Sequence, residues 1–298
     1  MPSLTLRTDQ PFDLDATLSC GQVFRWDRTA DRWWLGVVGD RVLRIRQDGN
    51  RLTYTGAPVS FIRHYFSLDI DLEQVLESID TDRFIHTSID RNRGLRIVRQ
   101  PPWECTISYI CSTNSNIPTI RRRIASIAKK YGEAVEFHDQ VFYTFPEPSA
   151  IICEGHDGLT ECRLGYRQPY VFGSSSLVTD AKVWSESIRR LPYGEARREL
   201  MNLHGVGPKA ADCILLFAFQ KYEAFPVDVW IRRIMAEHYL PDLSPDAPMT
   251  TREYDLIRTF AREHFGQYCG WAQEYLYAGR DGSKPHSAGG VPVWESDS

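Results

Sequence analysis

Hydrophobic and polar positions change their period once along the chain. Up to about residue 55 they fall in short β-rich runs, at 3–6, 18–26, 33–38, 41–46 and 51–55. Gly39-Asp40 and Asp48-Gly49-Asn50 suit hairpin turns, so the later runs can close an antiparallel sheet. From Val59 the period becomes helical. Phe61, Ile62, Tyr65 and Phe66 share one helix face, Asp71 can cap a helix through Ile79, and 82–89 reads as another. From 101 onward the chain reads as almost entirely helical. Pro101-Pro102 opens a helix through Ser112; 117–131 follows, then a stretch of poor periodicity holding Pro146 and Pro148. Further helices fit 170–184, 195–201, 209–219, 228–239, 251–265 and 271–278, and the polar stretch after Gly279 reads as a frayed tail. The pattern predicts an α+β protein: an N-terminal antiparallel β-sheet domain (1–100) packed on a mostly α-helical domain (101–280), then a flexible tail (281–298).

Composition narrows the class of function. With 298 residues, 42% of them hydrophobic and 25% charged, the chain can bury a sizeable core, which excludes disorder as its main state. No apolar run approaches a membrane span, and no apolar stretch follows a basic one at the N-terminus, so neither a membrane partner nor secretion is expected. Seven cysteines, scattered and without CxxC, predict reduced thiols in an intracellular protein rather than a zinc or iron–sulfur site. A net charge of -4 argues against coating nucleic acid by bulk charge, but leaves room for local basic patches.

The strongest chemical signal is Leu203-His204-Gly205-Val206-Gly207-Pro208-Lys209-Ala210-Ala211, set between two helical patterns. It has the helix–hairpin–helix form LxGVGxKxA. Gly205 and Gly207 permit a tight hairpin and close approach of another chain. Backbone N–H groups there, beside a helix N-terminus, can hold a DNA phosphate. Leu203 and Val206 are placed to pack the hairpin on the core. A plain αα turn accounts for two glycines but not for the whole motif.

Lys209 falls in the first turn of the second helix, whose positive end disfavours an ammonium; partial burial also lowers a lysine pKa. A neutral amine is a nucleophile able to form a Schiff base. By position alone, a phosphate-binding lysine fits as well as a nucleophile. Phe225-Pro226-Val227-Asp228-Val229-Trp230 places Asp228 at a helix N-cap. Asp228 can serve as a cap alone, or as a carboxylate that stabilises the cationic sugar formed when a C1′–N bond breaks.

GVGPKAADCILL followed by FPVDVW resembles the helix–hairpin–helix DNA glycosylases, and among them the eukaryotic-type 8-oxoguanine DNA glycosylase/AP lyases. Further blocks resemble that family in its order: residues 21–26, 65–69, 110–117, 164–167 and 270–273, covering the chain from about 15 to 280. The resemblance implies a base-excision-repair enzyme that flips a damaged base out of the duplex into a pocket between two domains. There Lys209 attacks C1′, Asp228 assists, a Schiff base forms, and β-elimination nicks the strand.

For the pocket, the resemblance assigns four residues. 8-Oxoguanine carries a hydrogen on N7 where guanine has an acceptor, so a backbone carbonyl at Gly21 accepts one base and repels the other. Cys213 stacks on the flipped base, Gln273 reads its Watson–Crick edge, and Tyr277 closes the other face where the family usually has phenylalanine. From residues alone, Gly21 reads as a strand bulge, and Cys213 and Tyr277 as core. On the duplex side, the resemblance makes Asn114 fill the vacated gap, Tyr166 the wedge and Arg167 a reader of the orphan cytosine. Without it, Asn114 is a helix cap and Arg167 a surface residue.

Two positions depart from the family. Thr119 replaces a second cytosine-reading arginine, which implies looser discrimination opposite the lesion. Trp230 replaces a histidine that helps hold phosphate, which moves that task to another group. Arg121, Arg122 and Arg123 are nearby candidates, though a charge run is more often a solvated face.

Competing readings are a glycosylase of the same superfamily for another damaged base, or a non-catalytic damaged-DNA binding protein. An adenine or thymine-glycol enzyme usually carries an iron–sulfur cluster, for which Cys213 and Cys269 alone do not suffice. An alkylated-base enzyme normally lacks the hairpin lysine. The expectation is a monomer acting on damaged double-stranded DNA, without an organic cofactor or redox metal, excising 8-oxoguanine preferentially opposite cytosine; a potassium or sodium ion on the hairpin carbonyls would fit the family.

Overall fold

A computed structural model describes residues 1–245 and 247–280. The expected tail, 281–298, lies outside the described residues. The chain begins with β1 (Ser3–Thr5), α1 (Leu14–Ser19), β2 (Trp26–Arg28), β3 (Trp34–Val38), β4 (Arg41–Asp48) and β5 (Arg51–Thr55). The strands form one antiparallel sheet in the order β1-β5-β4-β3-β2. Val38 pairs with Arg41 and Asp48 with Arg51, so both expected hairpins turn through two residues. One face of the sheet buries Leu43, Ile45, Leu52 and Tyr54 against Ile62, Phe66 and Val98.

Helices α2 (Val59–Tyr65), α3 (Leu72–Ile79), α4 (Arg83–Arg91), α5 (Pro102–Ser112) and α6 (Ile117–Tyr131) follow. A two-stranded hairpin comes next, β6 (Ala134–Phe137) and β7 (Gln140–Tyr143), then α7 (Pro148–Ile152), α8 (Gly155–Gly158) and α9 (Gln168–Leu177). The series ends with α10 (Ala181–Arg190), α11 (Tyr193–Met201), α12 (Pro208–Phe219), α13 (Val229–His238), α14 (Thr251–Phe265) and α15 (Cys269–Ala278).

Three elements depart from the sequence reading. The run 18–26 is not one strand: Asp13 accepts the Ala16 N–H at 2.8 Å and caps α1, which buries Leu14, Thr17 and Leu18. The poorly periodic stretch holds the β6–β7 hairpin, whose Phe142 packs with Val135 and Phe137 on Leu35, Val37 and Val42, covering the second face of the sheet. The expected helix 170–184 is two helices, because Asp180 leaves helical geometry and accepts the Val183 N–H at 2.8 Å to start α10.

The helical core centres on α12, buried at every position from Ala210 to Phe219, and on α5, which packs against it. Tyr109 of α5 stacks on Phe217 of α12 with ring centroids 5.8 Å apart. The last helix returns to the front of the chain: Tyr275 Oη donates to the Leu95 carbonyl at 2.8 Å.

Candidate active site

The hairpin between α11 and α12 is built as its residues dictate. Leu203 and Val206 are buried. Gly205 takes φ +79°, and a Cβ there would lie 2.8 Å from Tyr170, so both backbone sign and space require glycine. Ser174 Oγ donates to the His204 carbonyl at 2.9 Å and ties the hairpin to α9. Gly207 differs: no atom lies within 4 Å of a Cβ built on it, and it is exposed. The room it leaves faces outward, as contact with a phosphate backbone requires.

Lys209 sits one residue inside α12, after Pro208 at the helix start. It is half-buried, and among the described residues its Nζ has no hydrogen-bond or ion-pair partner; it lies 5.9 Å from the Tyr109 ring centroid. Asp228 is the N-cap of α13. Its Oδ1 accepts both the Trp230 and Ile231 N–H groups, at 3.0 and 2.8 Å, which leaves Oδ2 without a described partner. Asp228 is therefore a cap whose second oxygen is available for chemistry. Cys213, one turn beyond Lys209, is 4% exposed. Burial pushes its thiol up to about 12; the Lys209 ammonium opposes this, and Asp212, Glu274 and Asp228 add to it. The lysine and the carboxylate thus both act electrostatically on one buried thiol, one from α12 and one from the start of α13.

The other residues expected to line the pocket lie early and late in the sequence. Gly21 has φ +101°, and a Cβ on it would lie 3.5 Å from Ile117 and 3.8 Å from the Tyr277 ring. Gln22, 2% exposed, locks this loop by donating to the Thr17 and Arg96 carbonyls, each at 2.9 Å, and accepting the Val98 N–H at 2.9 Å. The Gly21 carbonyl accepts no hydrogen bond from a described residue. Gln273 is 5% exposed and its Oε1 is buried without a partner. Such an atom is costly unless a ligand completes it.

Asn114, Tyr166 and Arg167 also meet. Asn114 is exposed with φ +47°, and its Nδ2 lies 3.5 Å from Tyr166 Oη, which donates to the Thr113 carbonyl at 3.1 Å. Arg167 is not the surface residue that its position suggests. It is 3% exposed and donates to the carbonyls of Thr113 and Asn114, so here it braces the loop that presents Asn114.

The arginine run is not a solvated face throughout. Arg121 donates to Asp27 and the Trp26 carbonyl, and Arg123 to the Cys111 carbonyl and Ser115, because both point back into the fold. Only Arg122 of the three is exposed; it donates to Thr119 Oγ1 at 3.2 Å. Trp230, 44% exposed beside Asp228, is flanked by Arg233 and Arg280 at 5.3 and 5.9 Å. Arg280 also lies 3.7 Å over the Tyr277 ring.

Sequence reasoning missed Tyr109, beneath Lys209, and Glu274, beside Gln273. Glu274 is 4% exposed and accepts from Cys20 Sγ at 3.5 Å. Burial raises its pKa to about 7; the Cys20 contact opposes the rise and Asp228 adds to it. An ordinary glutamate titrates near 4.5, so the folded protein holds this proton more tightly than the unfolded chain. Below pH 4.5 both states carry the proton and nothing is lost. As pH rises through 7 the cost grows to about 3 kcal/mol and then levels off. Glu274→Gln should therefore unfold at higher urea than wild type at pH 8 and match it at pH 4.5. Equal midpoints at pH 8 would refute the raised pKa.

Residues 4–106 match the family model described as 8-oxoguanine DNA glycosylase, N-terminal domain. The chain is 34% identical over 263 residues to a probable N-glycosylase/DNA lyase of Methanothermobacter thermautotrophicus, covering 79% of this chain and 78% of that protein. Its fold superposes on the Clostridium acetobutylicum 8-oxoguanine glycosylase/lyase in its apo-form with a TM-score of 0.85 at 32% identity, covering 94% of this chain and 97% of the other. For that enzyme bound to double-stranded DNA with cytosine opposite 8-oxoguanine, the TM-score is 0.84 at 32% identity, with 92% and 93% covered.

Proposed function

Since the chain belongs to the 8-oxoguanine DNA glycosylase/lyase family and is a bifunctional DNA glycosylase and AP lyase, we propose that it excises 8-oxoguanine from damaged duplex DNA, preferentially opposite cytosine, through a Schiff base on Lys209. The observation that carries this reading is one set of residues: Lys209 and Asp228 both act electrostatically on the buried Cys213, and the Tyr277 ring lies 3.8 Å from a Cβ built on Gly21. One chain supplies every member of it, so a monomer suffices. Its place of work is inside the cell, with the DNA.

The residues divide the reaction among them. The unbonded Gly21 carbonyl suits the N7 hydrogen that distinguishes 8-oxoguanine from guanine. The orphaned Gln273 Oε1 suits a donor on the Watson–Crick edge. Cys213 and Tyr277 offer soft and aromatic faces to the ring. As the C1′–N9 bond breaks, the free Oδ2 of Asp228 stabilises the cationic sugar. The Lys209 amine bonds to C1′, the base departs with the electron pair of the broken bond and takes a proton, and ring opening leaves the imine. Loss of the 2′ proton from that imine expels the 3′ phosphate and nicks the strand. In the duplex, Asn114 fills the gap left by the flipped base and Tyr166 is the wedge that kinks the strand, while Gly205 shapes the hairpin and Gly207 opens it to a phosphate.

Opposite-base preference is the finer test. A good bidentate contact discriminates by about 1–3 kcal/mol, and Thr119 removes one such donor. Release of 8-oxoguanine from duplexes with cytosine, adenine, guanine or thymine opposite should be fastest with cytosine, by about tenfold. Equal or faster release opposite adenine would overturn the preference while leaving the glycosylase reading intact.

A further inference from the structure

Asp212 lies on α12 three residues after Lys209, and it is completely buried. Tyr193 Oη from α11 donates to its Oδ1 at 2.5 Å and Tyr254 Oη from α14 to its Oδ2 at 2.7 Å, while Arg197 Nε approaches Oδ1 at 3.2 Å. Tyr254, having donated its one proton to Asp212, accepts the Val227 N–H at 3.4 Å. Val227 immediately precedes Asp228, and Val227 and Tyr254 are 3% and 4% exposed. A continuous path of hydrogen bonds therefore runs from the helix of Lys209, through α14, to the backbone one residue before the free carboxylate.

A buried N–H needs a partner, but a water or a hydroxyl alone would satisfy it. Burying a carboxylate on the lysine's own helix to orient that hydroxyl is costly unless it does more. The phenol cannot rotate its proton toward Val227 without abandoning Asp212, so the oxygen is fixed as an acceptor. The N-cap bonds of Asp228 set its orientation on α13; the Tyr254 bridge sets where the start of that helix stands relative to α12.

We propose that Tyr254, oriented by Asp212, is a positioning residue that holds the Asp228 carboxylate in register with Lys209. This rests on the reading of those two residues as the catalytic pair. Tyr254→Phe removes one oxygen and keeps the ring. A displacement of about 1 Å at reacting groups costs up to about 10²-fold, so single-turnover release of 8-oxoguanine should fall about tenfold. Binding of a duplex with an uncleavable abasic-site analogue should change less than about twofold, since no DNA-contacting group has moved. Hydrogen exchange should show selective loss of protection at the Val227 amide.

Two results would overturn the proposal: unchanged release while Val227 loses protection, or release and binding falling together with the folded fraction. A wild type that binds the lesion but releases no base overturns the functional reading instead, and the positioning role with it.

Discussion

Lys209→Gln is expected to abolish borohydride trapping on an 8-oxoguanine duplex and to slow base release by about 10³-fold or more, the scale seen when a nucleophile is removed from a working set. The expectation follows from the lysine's surroundings. Its Nζ has no described hydrogen-bond or ion-pair partner that would occupy it, only the face of Tyr109 at 5.9 Å. Glutamine fills similar length without a nucleophilic amine. Trapping works because borohydride reduces the imine to a stable secondary amine. An adduct formed equally by Lys209→Gln would show that another amine attacks. Base release without trapping in wild type would show that water does.

Asp228→Asn should slow base release by about 10²–10³-fold, the cost of losing one stabiliser of developing charge, with little change in stability. Asparagine caps helices as well as aspartate does, so its carbonyl can keep the Trp230 and Ile231 amides and α13 stays in place. Only the charge is lost. A pre-formed abasic site offers an aldehyde without any glycosidic bond to break, so strand nicking there should fall by much less, about tenfold at most. Equal losses on both substrates would mean that Asp228 acts on the Schiff base rather than on the departing base.

Much of this was legible in the residues, for local reasons. Gly39-Asp40 and Asp48-Gly49-Asn50 mark their hairpins because the turns need those residues, and LxGVGxK marks its hairpin because a tight turn must precede a helix start. The β6–β7 hairpin was not legible, since its turn is made by His138 and Asp139 at positive φ without glycine. The six-residue α1 buries one side of a short run, which β alternation mimics. The pocket walls came through the family resemblance rather than through periodicity. Glu274, Tyr109 and the Tyr254 bridge escaped notice because nothing local marks them: each matters through a partner distant in the chain. Arg167 shows the same limit, since no spacing rule says that a guanidinium will turn inward to two carbonyls.

Gly21 lies near the beginning of the chain, and the ring it faces, Tyr277, sits on α15, the last of the described helices. A growing chain that has emerged past Asp228 already holds Lys209 and Asp228 but still lacks α15. With the roles proposed for Gly21 and Tyr277, lesion recognition waits until α15 leaves the ribosome and docks. That contact joins segments far apart in the sequence, and non-local pairing of this kind slows folding.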